Sequence, residues 1–287
     1  MKYDRVIRTS IQLINAPEYT DYRGTLDIRN LRISFSISKS ISWSTNTATV
    51  RIWNLSPENR NQIANFGDEL TLYAGYVNDG GAQLLFVGDT TQVSHSFPQP
   101  EIVSTLTCGD GDKIVNNVTI SVSFGANTPV ATVIQKIADL MGMKIVSGLP
   151  TILEVYALGF KGTNLARNVL DNACQKANLW WSVQNGNLVI QRKNQGNSKP
   201  PVDINVNTGM IGVPERYTDK KGEFYVTGPK DGWKVRTLLR PDIIPGDVIR
   251  LKSNQVPVDG LFFVETIQHE GDNYGPSFES TMEVIAL

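Results

Sequence analysis

The chain has 287 residues, 40% hydrophobic and 19% charged, and its 27 basic and 28 acidic side chains leave a net charge of −1. That length suits about two domains, and the charge balance excludes the basic excess that marks a general binder of nucleic acid or anionic membrane. Cys108 and Cys174 are the only cysteines, which excludes a disulfide framework and leads to an expectation of reduced thiols and folding in the cytoplasm. No stretch reaches the ~20 apolar residues that span a bilayer, and residues 1–6 lack the apolar run of a signal peptide, so no membrane insertion is expected.

In chain order, residues 29–107 read as β structure. Leu31, Ile33, Phe35 and Ile37 alternate with polar residues, as do Ala48, Val50 and Ile52, the period-two signature of half-buried strands. Ser56 and Pro57 offer an N-cap and first position for a helix of one or two turns over Glu58–Ile63. Leu70, Leu72 and Tyr76 resume a strand, Asn78-Asp79-Gly80-Gly81 turns it, and Leu84–Val87 returns. From Thr128 the period becomes helical: Thr128 and Pro129 as cap and first turn, apolar residues from Val130 to Met141, Gly142 as the stop, then a short strand over Met143–Val146. A second helix-then-strand unit follows, with Thr163 as its cap and Leu179–Val183 as its strand, offset by 36 residues as a weak repeat. Asn185-Gly186 is the strongest hairpin signal, because a type I′ turn needs positive φ at both central positions. Residues 192–201 read as a linker. Beyond it the chain is β again: Pro245-Gly246-Asp247 turns into a strand at Val248–Leu251, and Gly260 allows a reversal before Leu261–Ile267. Phe278, Ser280, Met282 and Val284 share one face.

The fold class is therefore mainly β with an α+β insert: a β module over 1–108, a mixed insert over 109–201 and a β module over 202–287, the two modules being sandwiches or barrels.

Chemistry-bearing constellations are sparse. His95 and His269 have no second His or Cys nearby for a metal site. His269 with Glu270 and Asp272 could orient an imidazole, but no nucleophile accompanies it and a surface turn is the plainer reading. Gly109-Asp110-Gly111-Asp112-Lys113 lacks the further residues of a dinucleotide loop, a P-loop or a calcium loop, so it reads as a sharp turn. Carboxylates are numerous enough for a glycosidase pair. Trp43, Trp53, Trp180, Trp181 and Trp233 are candidate sugar platforms, although tryptophan serves more often in cores and interfaces. Lys220-Lys221 is the only basic pair outside the linker, a negligible nucleic-acid signal.

Several segments, taken in order, resemble the baseplate hub proteins of contractile phage tails, the Mu-type tail hub among them. These are the strand ending in Asn54-Leu55-Ser56; Gly67–Tyr76 with its Ala74-Gly75-Tyr76, followed by Phe86-Val87-Gly88; the strand and turn through Asp110 and Gly111; Leu179–Ser182 with its hairpin; Thr208–Pro214; and Pro245-Gly246-Asp247 with His269, Gly271 and Asp272. The resemblance implies a non-enzymatic homotrimer without cofactor or metal, whose six tube-like β domains form a pseudo-sixfold ring between a sixfold tail tube and a threefold spike. The implied partners are the central spike protein, the tail tube protein, baseplate wedge proteins and the tape measure protein, with DNA only in transit. It also implies a lumen lined by acidic or neutral side chains, for which Asp68, Glu69, Asp89, Asp247 and Glu265 are candidates. Cell-wall cleavage is then expected of another protein, and the absence of a spike after Leu287 argues against the fused form of secretion systems. Two other readings stand beside it, a tail-associated glycan or peptidoglycan hydrolase and a carbohydrate-binding adhesin.

Overall fold

A computed structural model describes residues 4–13, 24–42, 44–63, 68–146, 149–192, 195–197, 199–218 and 231–287. Trp43, Gly67, Lys220-Lys221, Met1–Tyr3 and part of the 192–201 linker lie outside the described residues.

Two strands precede the stretch from which the sheet was expected to start, β1 (Arg5–Gln12) and β2 (Thr25–Ile28). β3 (Ile33–Ser40) and β4 (Thr47–Trp53) bury Ile33, Phe35, Ile37, Ala48, Val50 and Ile52, as their alternation requires. Helix α1 (Pro57–Gln62) begins where the Asn59 N–H donates to Ser56 Oγ at 3.1 Å. β5 (Glu69–Tyr76), the long β6 (Gly81–Ser96) and β7 (Val103–Gly109) complete the first strand set.

The middle of the chain runs α2 (Asp112–Asn117), β8 (Thr119–Phe124), β9 (Thr128–Pro129), α3 (Val130–Met141), β10 (Val155–Tyr156), β11 (Phe160–Leu165), α4 (Ala166–Lys176), β12 (Leu179–Gln184) and β13 (Asn187–Arg192). The apolar stripes of α3 and α4 face one another, and Gly142, at φ 70°, ends α3. Neither expected threonine cap forms. Thr128 sits in β9 and donates to the Gly125 carbonyl, while Thr163 lies inside β11 with its hydroxyl 3.0 Å from that of Ser121. Strand pairing fixes both backbones before either helix starts. Met143–Val146 makes a single parallel bridge, Ile145 to Leu188, in place of a strand.

The last set is β14 (Val202–Ile204), a short 3-10 turn, β15 (Met210–Thr218), β16 (Asp231–Leu238), β17 (Val248–Ser253), β18 (Val258–Asp272) and β19 (Phe278–Ala286). Gly260 lies within β18 opposite Leu251, and the reversal falls at residues 254–257. Strand content therefore dominates, with a few helices.

The first and last strand sets form one 13-stranded sheet whose main path is β15-β16-β19-β18-β3-β4-β7-β6-β5-β1-β2. The seam is the antiparallel pair of β18 with β3, from Thr266 opposite Ser40 to Asp272 opposite Ser34. Three hydrophobic clusters result. One fills the helix-bearing middle, one lies under β14–β19, and one lies under β1–β7 and also takes in Leu239 and Phe278. Phe278 makes edge contacts with Phe35 and Tyr76, at 6.2 and 5.2 Å between centroids, so the aromatic packing crosses the seam.

His269 sits in this seam and not in a surface turn. It lies opposite Ile37 and is 1% exposed, with Nδ1 2.8 Å from Ser280 Oγ. The Arg240 N–H donates to the same Oγ at 2.9 Å, which leaves the serine hydrogen for the imidazole. Burial, then the nearby Lys39 charge, push the His269 pKa down to about 3. An unfolded chain binds that proton below about pH 6.5 and the folded one refuses it until about 3. The contribution of a neutral His269 is therefore present above pH 6.5 and is lost as pH falls toward 3. In denaturant titrations the stability difference between wild type and His269→Gln is expected to shrink between pH 6.5 and 5, by up to about 1.4 kcal/mol per pH unit. A pH-independent difference would disprove this.

Candidate functional site

The resemblance-bearing turns converge on two joints where the helix-bearing segment meets the sheet. At the first, β7 runs into Asp110 and Gly111, the latter at φ 64°. The Asp110 carboxylate accepts the backbone N–H groups of Asn185 and Gly186 at 2.6 and 2.7 Å, holding the tip of the β12–β13 hairpin. Both tip residues have positive φ (55° and 75°), as a type I′ turn requires. Asn46 braces the tip, donating to the Val183 carbonyl at 2.7 Å and accepting the Ser40 N–H at 2.9 Å. Lys39 continues the buried face of Ile33, Phe35 and Ile37 but ends in an ammonium that donates to the Leu85 carbonyl (2.6 Å) and to Asn185 Oδ1 (2.7 Å). Lys39 is 2% exposed and Asp110 fully buried. Burial lowers the Lys39 pKa to about 8, partly offset by the Asp110 charge. Burial likewise raises Asp110, opposed by Lys39 and then by the two N–H donors. The sequence signal for Lys39 is the strand alternation itself, which puts a charge in core phase.

At the second joint the Gly246 N–H donates to the Val264 carbonyl at 2.8 Å, and the Gly246 carbonyl accepts the Asn197 N–H at 3.0 Å. Gly246 has φ 95°, and a Cβ there would meet the Gln191 amide of β13 at 2.4 Å. Asp247 is buried. It caps the turn by accepting the Ile244 N–H at 3.0 Å, and it binds Lys199 at 3.2 Å and Asn197. Pro245 precedes them as the turn's rigid residue. Trp180 of β12 lies 5.8 Å from Phe263 of β18, centroid to centroid, which adds an aromatic contact at the same joint.

The remaining motif positions build the sheet. Asn54, at φ 57°, accepts the Ile102 N–H; Leu55 is buried; Ser56 caps α1. Gly75 and Gly88 permit close approach, since a Cβ would meet the Gly81 carbonyl at 2.1 Å or the Phe86 ring at 2.6 Å. Tyr76 donates to the Phe278 carbonyl across the seam at 3.1 Å. Gly271 leaves room for the Phe35 ring, and Asp272 pairs with Arg32 at 2.9 Å.

The candidate acids Asp68, Asp247 and Glu265 are buried, and Asp89 accepts the Lys113 N–H. Trp181 and Trp233 are buried, and Trp53 carries the Arg32 guanidinium 4.4 Å above its ring. Cys108 and Cys174 are free and buried, and burial raises both thiols, Cys108 to about 12. Among the described residues no group of three or more His, Cys, Asp or Glu side chains could hold a metal ion.

This architecture is that of phage tail proteins. The 43 kDa tail protein of prophage MuSo2 from Shewanella oneidensis superposes with a TM-score of 0.67 at 9% identity, over 98% of this chain and 97% of that one. A tail protein from Neisseria meningitidis MC58 gives 0.66 at 11% identity, over 99% and 97%. An Escherichia coli component of the type VI secretion system, described as structurally similar to the T4 tail proteins gp27 and gp5, gives 0.64 at 12%, over 97% and 76%. At such identities the likeness is one of fold. No curated protein matches by sequence. The model of the baseplate hub gp41 family matches residues 13–284. The chain belongs to that family, and it is a phage baseplate hub protein of the virion tail.

Two outcomes test the joints. Asp110→Asn keeps the shape but presents one acceptor to two N–H donors. It should cost about 1–3 kcal/mol and speed amide exchange at Asn185 and Gly186; unchanged exchange there would show that the hairpin tip is held otherwise. Gly246→Val must adopt a strained φ and displace Gln191, so a loss on the order of 1–3 kcal/mol is expected, read as a lower melting temperature and impaired assembly.

Proposed function

We propose that this protein is the non-enzymatic structural hub of a contractile phage tail. Three copies form a ring that joins the sixfold tail tube above to the threefold central spike below and leaves a channel for DNA. The observation that carries this reading is the single sheet made from the first and last strand sets, with β2 at one end of its path and β15 at the other. Each of these strands has one paired neighbour among the described residues. Open strand edges invite pairing with another chain, and head-to-tail contacts of this kind close into rings.

Divided at 108/109 and 201/202, the chain supplies two β modules, and three chains supply six, which suits a sixfold tube. The insert then lies outside the ring, held by the Asp110 and Gly246 joints. The partners are the spike, tube, wedge and tape measure proteins, assembled in the host cytoplasm, and DNA meets the hub only in passage. His269, the best candidate for catalysis, is sealed from solvent, so no observation favours the hydrolase reading. The tryptophan contacts described above likewise do not favour the adhesin.

Electron microscopy of the purified protein at high concentration, with a light-scattering mass, tests this. A threefold ring of three chain masses with a DNA-wide hole is expected. A compact monomer that stays so when spike and tube proteins are added would overturn the proposal.

A further inference from the structure

Lys39 is the one lysine buried among the described residues. Its Nζ lies 2.7 Å from Oδ1 of Asn185, a residue 146 positions away in the chain. A carbonyl bond is about 1.23 Å long, so the Asn185 amide carbon stands within about 4 Å of that nitrogen. A small turn of the amide reaches the ~3–3.5 Å from which a bond can form. The carboxyl of Asp110 is held against the same residue. Its oxygens accept the Asn185 and Gly186 N–H groups at 2.6 and 2.7 Å, and Asn46 Nδ2 lies 3.4 Å away.

An amine, an amide and an acid enclosed together supply the nucleophile, carbonyl and proton carrier of an acyl transfer. Burial disfavours the charged form of Lys39 and of Asp110 alike. Passing one proton from the ammonium to the carboxylate leaves an amine with a free lone pair beside a neutral acid. The fold fixes all three groups beforehand: Lys39 stands opposite Ile267 in the seam, Asn185 at the tip of the β12–β13 hairpin and Asp110 at the end of β7. An Asn-Gly pair is otherwise prone to cyclise through the glycine nitrogen. Here the Gly186 N–H is bound to Asp110 Oδ1, and the Lys39 amine is the nucleophile that faces the amide.

We propose that Lys39 and Asn185 join through an intramolecular amide bond, with Asp110 as the proton carrier, and that this link fastens the helix-bearing segment to the sheet. The Nζ lone pair forms the bond to Asn185 Cγ, while the carbonyl π pair moves onto Oδ1 and takes up the Asp110 proton. Asp110 relays a proton from Nζ to Nδ2. The Oδ1 proton then returns to Asp110 as the carbonyl reforms, and the Cγ–Nδ2 bond breaks. One ammonia leaves, nothing is oxidised or reduced, and the step occurs once per chain. The product nitrogen keeps one hydrogen, and the Leu85 carbonyl, 2.6 Å from Nζ, accepts it.

Tryptic digestion of the purified full-length protein, read by tandem mass spectrometry, tests this. The expected species is Ile33–Arg51, uncut at Lys39, joined to Ala177–Arg192 and lighter than the pair by one ammonia. Asn185→Gly keeps the positive φ of the turn and removes the amide. It should give the separate peptides and should run behind the loop-closed wild type on a denaturing gel. Separate Ile33–Lys39 and Ala177–Arg192 peptides from folded wild type would overturn the proposal and leave a hydrogen bond only. Loss of ammonia confined to Ala177–Arg192, the mark of cyclisation at Asn185-Gly186, would overturn it as well. Asp110→Asn, checked for folding by circular dichroism, should lower the yield of the linked species by about tenfold or more. An undiminished yield in that variant would overturn the part given to Asp110.

Discussion

The pairing of residues 266–272 with residues 34–40 is the constraint on which the rest of the molecule depends. β18 runs 15 residues, paired along one edge with β19 from Phe262 to Gly271, but its other edge changes partner. Val258–Phe263 pairs with β17, and Thr266–Asp272 pairs with β3. The change falls at a bulge between Val264 and Thr266, where Glu265 is buried and its carbonyl accepts the Ile41 N–H. A bulge shifts the alternation by one residue. Phe262 and Val264 therefore face the core before it, and Ile267, His269 and Gly271 after it. One extra residue lets a single strand serve two cores, and the Arg32–Asp272 ion pair, the Phe35–Phe278 contact and the buried His269 all follow from that register. Because the paired strands are more than 200 residues apart, the seam carries a large loop-closure cost and depends on burial to offset it.

The helix-bearing segment is joined to this sheet by polar contacts where an apolar patch would have been simpler. A buried lysine facing a buried aspartate gives little net stability after desolvation. It does make the geometry discriminating: two N–H groups at a hairpin tip, one carboxylate, one ammonium and two amides must all be satisfied together. A hairpin of different length would leave a charge buried without partners. The second joint works in the same manner, with Asp247 closing its own turn while holding the segment after β13. The Asp110 turn, whose Gly-Asp-Gly-Asp-Lys run in the sequence brings phosphate and calcium loops to mind, is thus mechanical, as is the Asp247 turn.

What could be read from residues alone divides along a physical line. Strands governed by alternation, the Asn185-Gly186 turn, the Ser56 cap and the Gly142 stop depend on neighbours in sequence, and they were legible. The misplaced features depend on partners distant in sequence. Thr128 and Thr163 have cap chemistry, yet pairing with Val155–Tyr156 and with Thr119–Phe124 keeps them extended. Gly260 has turn chemistry, yet Leu251 holds it in a strand. His269 beside Glu270 and Asp272 looks like an exposed polar cluster. In a strand, however, alternate residues face opposite ways, and His269 goes inward while its two acidic neighbours go out. Lys39 is the reverse case, a charge whose place in the alternation pointed inward.

The same alternation explains how so much of the surface can be polar without being charged. Once Ile33, Phe35 and Ile37 are committed to the core, the intervening positions of β3 are free of packing demands, and in this chain all are serine. Thr47, Thr49, Thr105 and Thr107 take equivalent positions of β4 and β7, beside Arg51, Trp53 and Val103. Threonine is a good strand former because its branched carbon suits a pleated surface, and serine is not. Strand propensity therefore accounts for the threonines and leaves the three serines Ser34, Ser36 and Ser38 unexplained. Solubility alone would be met better by lysine and glutamate, which also blunt unwanted association. The alternation therefore decides which positions of β3 are released from the core, and it does not decide which small polar residue fills them.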